Sequence, residues 1–288
     1  MPKKALLVGV NDYQGVSDLN GCVNDVTNMR SILRTYFGFQ NSEIRVLTDK
    51  RATKANILSR LRWLTKDAKR GDYLVFHFSG HGSQIRDRDK DEELTDQLDE
   101  LICPHDMNWT DGYLLDDHLN AIFRKLPEGV SLEVFLDCCH SGTGLRAAPD
   151  LGRPADLGPE HPTRIRYLPP PPDILCRVEG EEDTLSVQRL LRGDKAVPQH
   201  ILWAGCRSDQ TSADAYIDGA YNGAFTYYFC KHVRDSDGRL NRQDLLKRLR
   251  ASLRHNGYSQ IPQLESQATV RALGAFHTDS AAKTAKAK

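Results

Sequence analysis

The stretch Tyr73-Leu74-Val75-Phe76-His77-Phe78-Ser79-Gly80-His81-Gly82 is an apolar run that ends abruptly in small residues flanking a histidine. Short length, aromatic and β-branched content and a glycine boundary make Asp72 to Ser79 a buried strand. Working outward, residues 4–10 form a similar aliphatic run that ends in Gly9-Val10-Asn11-Asp12. Ile44 to Leu47, Leu132 to Asp137 and Ile201 to Ala204 repeat the pattern. Between them the apolar residues fall at helical spacing over 23–37, over 53–65 behind Thr53 as a cap, and over 115–125. Two further helices are expected near 223–234 and 241–255. Strands alternating with helices predict an α/β fold with a mostly parallel sheet of about six strands and helices on both faces. In such sheets ligands bind beyond the carboxyl ends of the strands. Asn11-Asp12, Ser79 to Gly82, Cys138 to Gly142 and Gly205 to Arg207 all fall there.

Composition narrows the function classes. The chain has 288 residues, 39% of them hydrophobic, which is enough for one large core. Lys plus Arg equals Asp plus Glu at 39 each, so no net field favours nucleic acid or an anionic membrane. No apolar run is long enough to span a bilayer. The basic and apolar N-terminus resembles a signal peptide, but its apolar run is short and continues into Asn11-Asp12-Tyr13 without a small-residue cleavage site. Seven irregularly spaced cysteines argue against a disulfide framework and for a reducing, cytoplasmic setting. Residues 143–198 hold nine of the 13 prolines, including Pro169 to Pro172, and read as an irregular linker. The tail 278–288 is expected to be disordered.

Cysteine chemistry needs a thiolate, a proton acceptor and donors for an oxyanion. Cys139 lies just past one strand end and is followed by small residues; His81 lies past another, between Gly80 and Gly82. If these two strands are neighbours, the side chains can meet over the sheet edge. The N–H groups of Gly82 and Cys139 could then hold the oxyanion. The blander readings are an inert buried thiol and a turn histidine. Cys138 is a rival nucleophile, but one residue earlier its side chain should point into the core.

The blocks His77 to Gln84 and Asp137-Cys138-Cys139-His140-Ser141-Gly142 resemble the two catalytic blocks of metacaspases, which are caspase-like cysteine peptidases. Leu19 to Val26, Asp99 to Asp106 and Gly205 to Ala215 resemble three further blocks of that family, in family order. The resemblance implies a caspase-like three-layer α/β sandwich, in a form without an extended prodomain. Residues 1–142 would be the large-subunit region and 199–277 the small one, within a single peptidase domain over 1–277. It also implies Cys139 as nucleophile, His81 as its base, and Cys22, Asp25, Ser79, Asp137 and Asp214 around the substrate side chain. Several carboxylates want a cation, so cleavage after Arg or Lys in protein or peptide substrates is expected. The family further implies activation by Ca²⁺ through Asp99, Glu100, Asp116 and Asp117, whose hard oxygens suit that ion. It also implies a monomer.

Some features depart from these patterns. Asp87 to Glu93 is acidic, but Glu92 stands where an EF-hand needs Gly and Leu98 where it needs Glu. Arg146 stands where some relatives supply an acid. The linker carries Arg146, Arg153, Arg164, Arg166 and Arg177, any of which could be a self-cleavage site. Cys139 and Arg146 are one residue too far apart for a phosphatase loop, and Cys138, Cys139, His140 and Cys206 lack the spacing of a zinc site. A catalytically silent caspase-fold scaffold is the non-enzyme alternative.

Overall fold

The computed structural model describes residues 2–86, 98–139, 161–175 and 200–277. Its strands in chain order are β1 (Lys3–Gly9), β2 (Ile44–Thr48), β3 (Tyr73–Ser79), β4 (Gly82–Arg86), β5 (Leu98–Ile102), β6 (Leu114–Leu115), β7 (Ser131–Asp137), β8 (Arg164–Ile165), β9 (His200–Ala204), β10 (Ala213–Ile217), β11 (Ala220–Gly223) and β12 (Gln263–Glu265). The helices are α1 (Cys22–Phe37), α2 (Lys54–Thr65), α3 (Asp116–Phe123), α4 (Pro172–Leu175), α5 (Ala224–Asp235), α6 (Arg242–His255) and α7 (Ala268–Arg271). No helix among the described residues is long and apolar enough to cross a membrane.

Six strands form the central sheet in the order β12-β9-β7-β3-β1-β2, all parallel except β12. Alternation explains the layers. Leu6 and Val8 face one core while Ala5 and Leu7 face the other; Phe76 and Phe78 oppose Val75, and Val134 and Leu136 oppose Phe135. The first core is covered by α2 and α3, the second by α1, α5 and α6. The result is a three-layer α/β sandwich. Strand β9, from the later part of the chain, pairs directly with β7, so both parts share one sheet.

Helix boundaries follow local chemistry. Thr53 Oγ1 accepts the Asn56 N–H at 3.3 Å to start α2, and Asn241 Oδ1 accepts the Asp244 N–H at 2.8 Å to start α6. Gly38 ends α1 in the left-handed region at φ 69°. The five longer helices and five parallel strands lie within about two residues of their sequence-predicted positions. Of the two small antiparallel sheets, β4-β5-β6 and β8-β10-β11, the sequence reading held only a strand within the block Asp99 to Asp106, implied by the family resemblance, where β5 lies. Their strands are two to five residues long, too short for a convincing period-2 signal.

The crossover matters for function. Chain passes from β1 outward to β2, then back across β1 to β3. This reversal opens a crevice at the carboxyl end of the sheet. In the same region β3 and β7 end side by side, with Ser79 opposite Asp137.

Candidate active site

The neighbouring strand ends bring the predicted blocks together. After Ser79 the chain turns through Gly80 to His81, and Gly80 N–H reaches the Asp137 carbonyl at 3.4 Å. A Cβ on Gly82 would lie 2.2 Å from the Cys139 carbonyl oxygen. No side chain fits there, so glycine is what lets the two strand ends close together.

His81 is buried and fixed from several sides. Its N–H donates to Tyr13 Oη at 2.7 Å, and the two rings lie 5.0 Å apart. Its Nε2 lies 2.9 Å from the Ser17 carbonyl. With an acceptor at Nε2, the proton of the neutral ring belongs there, leaving Nδ1 as the basic nitrogen. Nδ1 is buried and has no hydrogen-bond partner. Burial lowers the His81 pKa to about 4, against the opposing pull of the Ser17 carbonyl. The ring is therefore neutral and able to accept a proton at pH 7.

Cys139 is also buried. Its Sγ accepts the Ser212 N–H and lies 3.6 Å from the Ser212 carbonyl, so the thiol rests on that backbone instead of on His81. Cys138 faces the core beneath the sheet, as alternation predicts, and burial pushes its pKa up. Cys206 is also raised, first by its hydrogen bond with Cys139 and then by burial. Both stay protonated thiols.

The space beside Cys139 is filled by the chain itself. Residues 164–168 run through the crevice as an extended segment. Arg164 and Ile165 pair antiparallel with Asp214 and Ala213 of β10, and Arg166 N–H continues to the Ser212 carbonyl at 3.1 Å. The Arg166 carbonyl accepts two N–H groups, from Gly82 at 3.0 Å and Cys139 at 3.2 Å. These are the two amides named from the sequence as oxyanion donors. Leu168 N–H then binds the Gly82 carbonyl at 2.9 Å, and Ser83 Oγ donates to the Leu168 carbonyl at 2.6 Å.

The Arg166 side chain is fully buried among the residues predicted to line a pocket. Nη2 lies 2.8 Å from Asp25 and 3.1 Å from Asp214; Nη1 lies 3.2 Å from Asp137 Oδ2 and 2.8 Å from Ser79 Oγ. Asp25 therefore belongs to the interior, unlike a solvated helix-face charge. Each carboxylate is held by other donors as well. Asp25 accepts the Gly223 N–H and Ser79 Oγ–H; Asp214 accepts the N–H groups of Asn20 and Gly21; Asp137 accepts Ser212 Oγ–H and the Thr226 N–H and hydroxyl. Cys22 lies in the same charge field, its pKa raised by burial against the opposing effect of Arg166.

Three carboxylates around one guanidinium leave an excess of buried negative charge. Burial pushes Asp25 up to about 7, with Arg166 opposing and Asp137 adding to the rise. Burial alone would lower the Arg166 pKa, but Asp137, Cys22, Asp25 and Asp214 outweigh it and hold the cation charged. The walls are glycines: a Cβ on Gly21 would meet Asp214 Oδ1 at 2.4 Å, and one on Gly223 would meet Asp137 Oδ2 at 2.3 Å. The sequence reading did not single out these glycines, Ser17, Tyr13, Ser212 or the placement of Arg166. Arg166 was one of seven arginines in 143–198 with nothing to distinguish it; Arg146, Arg153, Arg177, Arg189 and Arg192 lie outside the described residues.

The predicted metal residues lie on the other side of β4. Asp99 and Glu100 are on β5, and Asp116 and Asp117 open α3. Burial, followed by repulsion from Glu100, Asp117 and Asp99, pushes Asp116 up to about 8. Among the described residues no three His, Cys, Asp or Glu side chains converge in a ready metal site. The carboxylate oxygens of these residues are of the chemistry a hard cation takes. The acidic run 87–93, the cysteine at 176 and the tail beyond 277 lie outside the described residues.

A family model described as "Metacaspase, peptidase C14 domain" matches residues 3–148. The chain belongs to the metacaspase family. It is 36% identical to Metacaspase-1 of Meyerozyma guilliermondii over 92% of this chain and 69% of that protein. It is 34% identical to Metacaspase-1 of Emericella nidulans over 92% of this chain and 70% of that protein. A crystal structure of a Geobacter sulfurreducens protein shares the fold, with a TM-score of 0.69 at 23% identity over 96% of this chain and 99% of that one. Membership of the metacaspases makes the chain a cysteine-type peptidase, a hydrolase acting on protein substrates.

Proposed function

We propose that this metacaspase cuts polypeptides after arginine and, more slowly, after lysine. The observation that carries the reading is the Arg166 guanidinium held by Asp25, Asp137 and Asp214. Arginine presents two nitrogens to separate carboxylates, whereas lysine offers one compact charge. An aspartate in this chamber would put like charges together in a buried site, costing several kcal/mol.

In this reading Cys139 is the nucleophile and His81 accepts its proton at Nδ1. The amides of Gly82 and Cys139 stabilise the oxyanion. The Ser17 carbonyl positions the ring and keeps the proton on Nε2, as the acidic member of a triad does elsewhere. Ser79 and Cys22 complete the pocket floor around the three aspartates. Both halves of this machinery come from one chain, so a monomer suffices. Ca²⁺ is proposed as an activator acting at Asp99, Glu100, Asp116 and Asp117, where a divalent cation would offset the burial and the neighbouring carboxylates that together raise Asp116.

The test is hydrolysis of matched fluorogenic peptides ending in Arg, Lys or Asp, with Ca²⁺ and with chelator. Cleavage of Arg ahead of Lys, and none after Asp, is the expected result. Cleavage after Asp would overturn the pocket assignment. Full Arg cleavage in chelator would remove the metal from the account.

A further inference from the structure

A basic groove lies at the end of the molecule remote from Cys139. On α2 and its C-cap, Arg62, Trp63 and Lys66 share a face beside the buried stripe of Ile57, Leu61 and Leu64. With Arg60, Ile122 and Lys125 they line an open groove of about 610 Å³, within the size range of ligand sites. Four of the lining residues are cations and none is a carboxylate. The chain as a whole has equal numbers of positive and negative residues, so this concentration of one sign is local. We propose that the groove is an exosite: it binds an acidic segment of a protein substrate while another part of that substrate lies at Cys139.

The fold does not account for these cations. Arg60, Arg62, Lys66 and Lys125 are exposed, and among the described residues their side chains make no ion pair or hydrogen bond. A cation at a helix C-terminus offsets the helix dipole, but on α2 Lys4 already does this. Its Nζ donates to the Trp63 carbonyl at 3.3 Å and to the Lys66 carbonyl at 2.7 Å. Arg62 and Lys66, four residues apart on one face, repel each other. What the arrangement produces is a positive field focused in a concave site.

The surroundings select among anions. The half-buried Trp63 ring is already faced by Arg45, at 5.2 Å from its centroid, and by Lys4, at 5.6 Å. Engaged by these cations, the indole is no free platform for stacking a nucleic-acid base. A membrane-binding face needs projecting apolar side chains. The one large hydrophobic exposed among the described residues is Ile261, which leads into β12 at the sheet edge opposite β2. A peptide fits better. Its carboxylates would pair with Arg60, Arg62, Lys66 and Lys125, and an aliphatic side chain between them would rest on Ile122 and the Trp63 edge, both packed against the first core.

The groove and the reaction centre can share one substrate. Lys4 and Arg45 lie at the amino ends of β1 and β2, whereas His81 and Cys139 lie past the carboxyl ends of β3 and β7. Seven residues of β1 separate the two ends, so the sites are at least about 20 Å apart. A flexible linker of about 20 residues spans about 25 Å. Binding at the groove would raise the local concentration of the scissile segment and so lower KM without changing kcat.

The first measurement is fluorescence anisotropy of labelled Asp-Glu-Leu-Glu-Asp-Glu with the full chain, as wild type and as the double variant Arg62→Glu, Lys66→Glu. Wild type should bind the peptide, and the double variant should raise Kd at least about tenfold. High salt should abolish binding, and the same peptide with Asn and Gln for its acids should not bind. An unchanged Kd in the double variant, or equal binding of the amide peptide, overturns the proposal. Phosphatidylserine vesicles and a single-stranded RNA run alongside. Binding of either that depends on Arg62 and Lys66, with the acidic peptide unbound, assigns the groove to another anion and also overturns it. The second measurement compares a short Arg substrate with the same substrate joined to the acidic segment by a Gly-Ser linker of about 20 residues. In wild type the joined substrate should show a KM at least about threefold lower at equal kcat. In the double variant the two should be alike, with turnover of the short substrate unchanged. Equal KM values in wild type overturn the exosite. No hydrolysis of either Arg substrate by wild type counts against the specificity reading instead, and the binding measurement then decides the groove.

Discussion

Arg166 and Arg242 are both fully buried, and both face carboxylates. Arg242 opens helix α6. Its Nε and Nη2 meet Glu133 at 3.0 and 3.2 Å, Nη2 also reaches Tyr73 Oη at 2.8 Å, and Nη1 donates to the Val270 carbonyl at 3.1 Å. Glu133 is shared in turn with Tyr73, the Trp203 indole N–H and the Phe276 N–H. One cation thus meets one anion, and burial, which would raise the Glu133 pKa, is outweighed by Arg242. Arg166 instead meets three carboxylates from α1, β7 and β10, and its Nε has no partner. It sits on an extended segment whose β-pairing is two residues long. A strut is charge-balanced and anchored in regular structure. A ligand is held in a chamber that remains organised by other donors when the ligand departs.

The largest expected effect tests whether the chamber around Arg166 is a reaction site at all. Cys139→Ala should lower peptide hydrolysis by at least about 10³-fold with the melting temperature nearly unchanged. Full activity there, with Cys138→Ala dead, would place the nucleophile one residue earlier. Next, Arg242→Ala strands Glu133 in the core and should cost about 3–5 kcal/mol in denaturant unfolding. Arg166→Gln should cost clearly less, because amides and hydroxyls already hold Asp25, Asp137 and Asp214. Equal losses at the two arginines would erase the distinction between strut and ligand.

A smaller effect sharpens the pocket half of the comparison. Asp25→Asn keeps the shape and removes a charge, so kcat/KM for Arg peptides should fall by about 10–100-fold, roughly 1.4–2.7 kcal/mol. An unchanged value would mean that Asp137 and Asp214 suffice. The smallest effect concerns a residue outside both networks. Burial lowers the His200 pKa to about 4, so the unfolded chain binds its proton first as the pH falls. Stability is therefore lost between about pH 6.5 and pH 4, by at most about 3 kcal/mol from this residue. His77 and His81 act in the same direction, whereas Asp25 and Asp116, with raised values, oppose it. Comparing wild type with His200→Gln isolates one histidine. The variant should show a flatter rise of unfolding free energy with pH across that window.

The difference between the two arginines was invisible in the sequence, although much around them was not. Periodicity located β3 and β7, and their ends located His81 and Cys139, because strand alternation and glycine boundaries are written within a few adjacent residues. Cys22, Asp25, Ser79, Asp137 and Asp214 came from the resemblance to the metacaspase blocks. The expected fold, with one mostly parallel six-stranded sheet between two helical layers, is the one observed. Resting Cys139 on Ser212 and His81 on Ser17 involves backbone atoms, which carry no sequence signature.

By itself, then, the sequence determined the layers, the strand ends and the family, since these depend on local pattern and on ordered blocks. Tertiary structure alone decided that Arg166, and not Arg164, is buried among the carboxylates, which glycines form the pocket wall and where the thiol rests. Arg166 and Asp25 lie 141 residues apart and meet at 2.8 Å. That contact is set by how the sheet closes and by three aspartates arriving from separate elements, so no window of sequence around Arg166 could have announced it.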